Sequence, residues 1–329
     1  MGGESRQTQS AAFPPDRYYC LLDELPLQLV PRPPFATKSE KAGRELFLNP
    51  DCQLCAAGEL PEELASEREL VSGFALQGTI AWVRSEETGS LTPFWLGSKL
   101  ETVLRKLAPG GPIRDSVAGS ERSVLDRAGI LVTAASDEER RMEKEDSVRK
   151  ASKLFQTNGY APLRGLIHPF HIAALRRYYR HQIRAGAIPL GDGQSPLRYV
   201  SYNDAVARFF HRQIAGQLSV VAGEPIKPSY VYAASYLSGA ELKKHIDREQ
   251  CEFSITLCLD FSPEPAVTTP WPICLDTPTG KVTVYQALGD GLAYRGTHLP
   301  HYRSKLGEGQ TSTSIFFHYV SADFAGSLD

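Results

Sequence analysis

The chain reads as an α+β protein: a barrel or two-sheet β fold in its second half, buttressed by helices, behind an N-terminal α+β part. Three observations predict this. From residue 229 onward, short segments at 229–237, 252–260, 273–276, 281–285, 291–295 and 312–320 read as strands separated by Pro- and Gly-rich turns. Two helical patterns, at 168–183 and 202–218, stand immediately ahead of them. A dense run of mixed charge from Asp137 to Lys150 precedes these helices and reads as a solvated helix with i,i+4 pairs.

The 329 residues suffice for two domains, or for one large domain with an extension. We divide them into a disordered tail (1–16), an N-terminal α+β unit (17–135), a charged connecting helix (136–154) and a second unit (155–329). Apolar content of 42% and charged content of 22% are ordinary for a globular protein. A formal charge of -2 gives no basic excess, so no nucleic-acid partner is expected. No apolar run approaches the roughly 20 residues of a membrane span. Residues 1–9 lack the apolar centre of a secretory signal, and Arg6 stands where myristoylation wants Ser or Thr. Cytoplasmic residence and no membrane partner are expected. Six cysteines do not make a disulfide scaffold in a chain of this size. Cys52 and Cys55 form a lone Cys-x-x-Cys without the second pair that a zinc site needs, and Cys251 and Cys258 read as buried small hydrophobes.

Taken in order, Pro26, Pro31, Pro33 and Pro34 keep 17–70 irregular, and a short helix is expected at 61–71. A strand at 74–84, a turn at 86–89 and a strand at 91–96 form a hairpin; helical patterns follow at 97–107 and 121–128, the second ending at Gly129 before a short strand. This stretch resembles a winged-helix module and, more loosely, the small peptide-binding modules that accompany peptide-modifying enzymes; a plain α+β cap on the second unit is the competing reading. A strand at 158–167 then leads into the helix at 168–183, with Pro169 in its first turn. Ile172, Leu175 and Tyr179 share a face of that helix, and His168, His171 and His181 read as surface or packing residues.

The chemistry concentrates in the last hundred residues. His245 and Asp247 flank Ile246, and in an extended strand residues i and i+2 point the same way. About fifty residues on, the strand at 291–295 is followed by His298 and His301. A His-x-Asp with a distant His after a strand is how a 2-His-1-carboxylate facial triad appears in sequence, holding Fe(II) on one face with the remaining positions open. His301 is favoured as the distal ligand because Gly296 and Pro300 suit a tight approach, with His298 as its rival.

Residues 155–322 resemble the iron(II)/2-oxoglutarate-dependent dioxygenases, most closely the prolyl-4-hydroxylase-like branch. The residues that carry the resemblance are Tyr236 and Gly239 ahead of His245 and Asp247, then Gly289, Asp290 and Leu292, then His301. The resemblance implies a double-stranded β-helix (jelly-roll) fold. It also implies Fe(II), 2-oxoglutarate and O2, with oxidative decarboxylation of the cosubstrate and hydrogen abstraction from an unactivated C–H bond. The metal ligands implied are His245, Asp247 and His301. The chain departs from the family at the cation that pairs with the far carboxylate of 2-oxoglutarate, usually about ten residues past the distal His; here Gly309 to Ser314 carry none. Arg303 is the choice in its place, since guanidinium binds carboxylate bidentately, with Lys305 and Arg295 as alternatives. Tyr236 matches a family tyrosine that bonds the cosubstrate, and equally reads as a core aromatic. His318 is expected to line the same cavity. Asp247 argues against a halogenase, where a small residue replaces the carboxylate. The expected substrate is a small molecule, amino acid or peptide. Two other readings compete: a non-catalytic β-barrel binding module, and a cupin-like metalloenzyme that does not use 2-oxoglutarate. The loop 262–271 is expected to border the substrate, with Trp271 as an aromatic contact or the loop as a rigid connector.

Overall fold

The structure, a computed structural model, describes residues 13–24, 30–31, 46–85, 89–107 and 119–329. Residues 1–12 of the expected disordered tail, Pro26, Pro33, Pro34 and residues 86–88 of the expected turn lie outside the described residues.

Strands β1 (Phe47–Leu48) and β2 (Cys52–Cys55) lead into a one-turn helix α1 (Glu62–Ala65). β3 (Ile80–Arg84) and β4 (Leu91–Trp95) form the expected hairpin, and β2 pairs antiparallel with β3 to complete a three-stranded sheet. Helices α2 (Ser98–Leu104) and α3 (Gly119–Arg127) follow, then β5 (Leu131–Val132), which pairs with β1. The strand expected at 74–84 is shorter than predicted: Gly78, at φ +104°, breaks the extended run before β3. The Cys-x-x-Cys lies on β2, where residues three apart face opposite sides, so the pair does not converge. Both thiols are free, and burial pushes that of Cys52 up to about 12.

The charged run belongs to a long helix, α4 (Ala134–Asn158). Then come β6 (Tyr160–Leu163), α5 (Pro169–Arg184), β7 (Arg198–Tyr202) and α6 (Ala205–Ala222). The helix expected from residue 202 starts three residues later. Tyr202 ends a strand, Asn203 turns the chain at φ 49°, and the Asp204 carboxylate caps α6 by accepting from the Val206 and Ala207 amides. The remaining strands are β8 (Ile226–Tyr236), β9 (Leu242–His245), β10 (Phe253–Ser262), β11 (Ile273–Thr277), β12 (Gly280–Val284), β13 (Gly291–Arg295), β14 (His301–Arg303) and β15 (Thr311–Ser321).

These strands wind between two antiparallel sheets. One has the order β6-β13-β10-β15-β8-β7, the other β12-β11-β14-β9. From β8 to β15 the chain steps from one sheet to the other, which is the winding of a double-stranded β-helix. Strand alternation gives the larger sheet two unlike faces. Phe253, Ile255, Leu257 and Leu259 of β10, Ile315, Phe317 and Tyr319 of β15, and Val231 and Ala233 of β8 join one apolar core with residues of α4, α5 and α6. The alternate residues face the barrel: Ser254, Thr256 and Cys258, then Ser312, Ser314 and His318, all buried.

Helix α5 is held against this sheet by charge as well as by apolar packing. Arg176, 1% exposed, donates to Asp260 at 2.9 Å and to Glu264 at 2.6 Å, and Arg180 also donates to Asp260. A bulge after Cys258 turns Asp260 toward the helix. The core continues into the N-terminal part through Tyr18, Phe74, Trp82 and Trp95. The Tyr18 hydroxyl lies 2.6 Å from Nδ1 of His171, a fully buried packing residue. We retain the division into units at 17–135, 136–154 and 155–329, and the winged-helix-like reading of the first, as proposals.

Candidate active site

Three of the predicted residues meet at one end of the barrel. His245 ends β9 and His301 begins β14; they are register partners in the smaller sheet, with ring centroids 4.4 Å apart. Asp247 lies beyond the end of β9, so the strand alternation expected for His-x-Asp does not place it. Its position comes from a loop clasp instead: its amide donates to the carbonyl of Gly296 at 2.9 Å, and the Gly296 amide donates to Glu252 at 3.0 Å. Oδ1 of Asp247 stands 3.6 Å from Nε2 of His245 and 3.5 Å from Nε2 of His301. His301 follows β13, as expected, and opens a strand of its own. His298 is exposed, bonds Thr297 and stays outside the group.

The residues present fit a divalent metal ion. Nδ1 of His245 faces the Lys243 carbonyl at 2.7 Å and Nδ1 of His301 the Leu299 carbonyl at 3.0 Å. A carbonyl only accepts, so each Nδ1 carries the proton and each Nε2 presents a lone pair toward Asp247. Such outer bonds fix the tautomer that a metal needs. Metal–ligand bonds of about 2.1 Å put neighbouring ligand atoms roughly 3–3.5 Å apart, close to the separations seen. Burial pulls the His301 imidazole below its usual range, which keeps it neutral and able to ligate.

Behind His301 the barrel interior carries buried polar side chains. Arg303, two residues along β14, is 5% exposed. Its guanidinium lies over the Trp271 ring at 4.8 Å and donates to the Trp271 carbonyl at 2.5 Å and to Oε1 of Gln286 at 3.1 Å. Its Nε, also buried, has no partner among the described residues. Tyr236, on the opposite wall, accepts from Arg198 at 3.0 Å, which leaves its own O–H to donate elsewhere. Burial raises its pKa, so the proton stays on. Arg198 was not singled out in the sequence; it is the register partner of Tyr236 across β7 and β8 and is neutralised by Asp192. No cation comes from Thr311 to Ser314 at the start of β15. Trp271, considered above as a substrate contact, is buried, packs on Tyr236 and Arg303, and donates to Ser304 at 2.6 Å. Lys305 is exposed, and Arg295 lies on β13 with its guanidinium over Phe155 and Phe253.

His318 lines the same barrel beside Asp247, its imidazole held neutral by burial with a pKa pulled down to about 4. A second group, Asp247, Cys251 and His318, also lies within ligand reach of itself. Its cysteine is unsuited to ligate, because a ligand must be the thiolate. Burial raises the Cys251 thiol to about 12, its sulfur meets the Tyr230 hydroxyl at 2.9 Å, and Nδ1 of His318 is bonded to Ser254.

No family model and no curated protein matches the sequence. Among solved structures, the chain is similar to the non-heme alpha-ketoglutarate-dependent epimerase SnoN from nogalamycin biosynthesis, with a TM-score of 0.46 and 13% identity over 54% of this chain and 84% of that one. It is similar to a Pseudomonas putida prolyl-4-hydroxylase, with a TM-score of 0.43 and 13% identity over 52% of this chain and 98% of that one. It is also similar to HygX from Streptomyces hygroscopicus, solved with nickel, 2-oxoglutarate and hygromycin B, with a TM-score of 0.42 and 14% identity over 54% and 88%. These likenesses extend over about half of the chain.

Proposed function

We propose that the chain is an iron(II)- and 2-oxoglutarate-dependent oxygenase that hydroxylates an unactivated C–H bond of an amino acid, peptide or natural-product substrate. The observation that carries this reading is one juxtaposition. Two imidazole Nε2 lone pairs and one carboxylate oxygen converge at the end of a buried barrel, and the strand that supplies His301 also supplies Arg303, whose Nε has no protein partner.

Iron(II), when bound, supplies the chemistry that couples decarboxylation of 2-oxoglutarate to succinate and CO2 with oxidation of a C–H bond by O2. The chain's own residues set up that chemistry. His245, Asp247 and His301 would hold the ion from one side only, leaving the rest of its coordination to ligands. Arg303, as donor and permanent cation, binds the far carboxylate of the cosubstrate; the Tyr236 hydroxyl donates to it from the other wall. Ser312, Ser314, Thr256 and Cys258 line the interior with small groups that leave room and still offer hydrogen bonds. Burial excludes bulk water, which strengthens each of these contacts.

The test is an anaerobic titration with Fe(II) and 2-oxoglutarate, following the weak visible charge-transfer band of the chelated pair in wild type and in His301→Ala. A band that the substitution abolishes is expected. Iron binding without a band points to a metalloenzyme that does not use 2-oxoglutarate. No iron binding points to a non-catalytic module.

A further inference from the structure

Ser254, on β10, touches both the candidate carboxylate ligand and the histidine beyond it. Its Oγ lies 2.8 Å from Oδ2 of Asp247 and 2.9 Å from Nδ1 of His318. The proton bookkeeping has one good solution. An ionised carboxylate only accepts, and a serine has one proton to give. That proton goes to Asp247, because an ionised carboxylate at 2.8 Å that can only accept outcompetes both a neutral imidazole nitrogen and the uncharged Cys251 carbonyl, 3.4 Å away. Ser254 must then accept from His318, so His318 carries its proton on Nδ1. The chain of donors runs His318 to Ser254 to Asp247, on adjacent strands: Ser254 and His318 are register partners across β10 and β15.

The relay divides the carboxylate. Oδ2 is held by Ser254, while Oδ1 faces both histidines. The other side of Oδ2 is closed by Gly296, where a Cβ would stand 2.3 Å from Oδ2, 2.4 Å from the Cys251 carbonyl and 2.7 Å from Ser254 Oγ. With Oδ2 committed and walled in, Asp247 has one oxygen to offer. The same bookkeeping leaves Nε2 of His318 as a bare lone pair, buried and without a partner among the described residues.

We propose that Ser254 and His318 are positioning residues that hold Asp247 as a one-oxygen ligand, through Ser254 donating to Oδ2 and His318 Nδ1–H donating to Ser254. This rests on the metal-centre reading of His245, Asp247 and His301. Losing an outer partner of this kind costs about 10–100-fold in metal affinity.

The experiment measures Co(II) binding to the full chain by its visible absorption, in wild type, Ser254→Ala, His318→Ala and His318→Asn, with the thermal transition of each metal-free protein recorded alongside. Ser254→Ala is expected to weaken binding about 10–100-fold. Its Co(II) band should change in position or intensity because the freed Oδ2 can join the ion. His318→Ala weakens binding less, and His318→Asn, whose amide N–H stands near the Nδ1 position, restores it. A Ser254→Ala protein with wild-type affinity and an unchanged band overturns the proposal. Should that variant fail to fold, the His318 pair decides it from the other end: equal binding by the Ala and Asn variants refutes the relay. Wild type that binds no Co(II) refutes the metal-centre reading itself, an outcome separate from either of these.

Discussion

Arg303→Ala offers the sharpest test of the proposed cosubstrate role, because the structure shows what the residue bonds without a ligand. Without one, it bonds the Trp271 carbonyl and Gln286 and lies on the Trp271 ring, with Nε left over. A hydrogen bond between charged groups contributes roughly 1.5–3 kcal/mol. At about 1.4 kcal/mol per factor of ten, its loss weakens 2-oxoglutarate binding by about 10- to 150-fold. A structural role alone would also disturb the protein, so the assay must separate the two. Binding of 2-oxoglutarate is compared with that of 2-oxobutyrate, which keeps the keto acid and lacks the far carboxylate. Wild type should prefer the first by the factor above, and Arg303→Ala should lose that preference while binding 2-oxobutyrate as before. Arg303→Lys should keep part of it, as a point charge without the planar fork. An alanine variant that discriminates like wild type would falsify the assignment, whatever its melting temperature.

Gly296→Ala should abolish or severely weaken metal binding while the rest of the barrel folds, since two of the three atoms its Cβ meets belong to Asp247 and to backbone; equilibrium dialysis with Mn(II) checks it, and wild-type affinity would refute the clasp. Acid should destabilise the protein through His171 and His211, whose folded pKa values burial lowers to about 3. Below about pH 6.5 the unfolded chain takes up protons that the folded one refuses, so stability falls as pH drops from about 6.5 toward 3, by about 2 kcal/mol per histidine at pH 5. Urea titrations at pH 7.5 and 5 read this, and His211→Gln should flatten about half of the slope. Asp204→Ala removes two capping bonds from α6 and the acceptor of the Tyr179 hydroxyl, and should cost about 1–2 kcal/mol in the same assay.

The convergence of the three candidate ligands was legible in the sequence because they follow a motif with a fixed order. His245, Asp247 and His301 converge, and Arg303, chosen only because the usual position held no cation, is the buried guanidinium behind them. What stayed hidden was set by pairing between distant strands. β9 is Leu-Lys-Lys-His and β14 three residues long, and neither shows the alternation that marks a strand. Each exists because a neighbour in the smaller sheet pairs with it. Arg198 has no local signal either; only the register of β7 on β8 brings it to Tyr236. Ser254 did leave a trace. The run from Phe253 to Leu259 alternates large apolar residues with Ser, Thr and Cys, a period of two in which one face is core and the other lines a cavity.

That alternation also separates two things that selection or engineering might wish to change independently. Phe253, Ile255 and Leu257 of β10 and Ile315, Phe317 and Tyr319 of β15 anchor the barrel to its helices, and Ser254, Thr256, Ser314 and His318 between them face its interior. A change at Thr256 or Ser314 alters the shape and polarity presented to a guest without opening a void beneath α5 or α6. The lining of the barrel is therefore adjustable one residue at a time, on strands whose other face is left untouched.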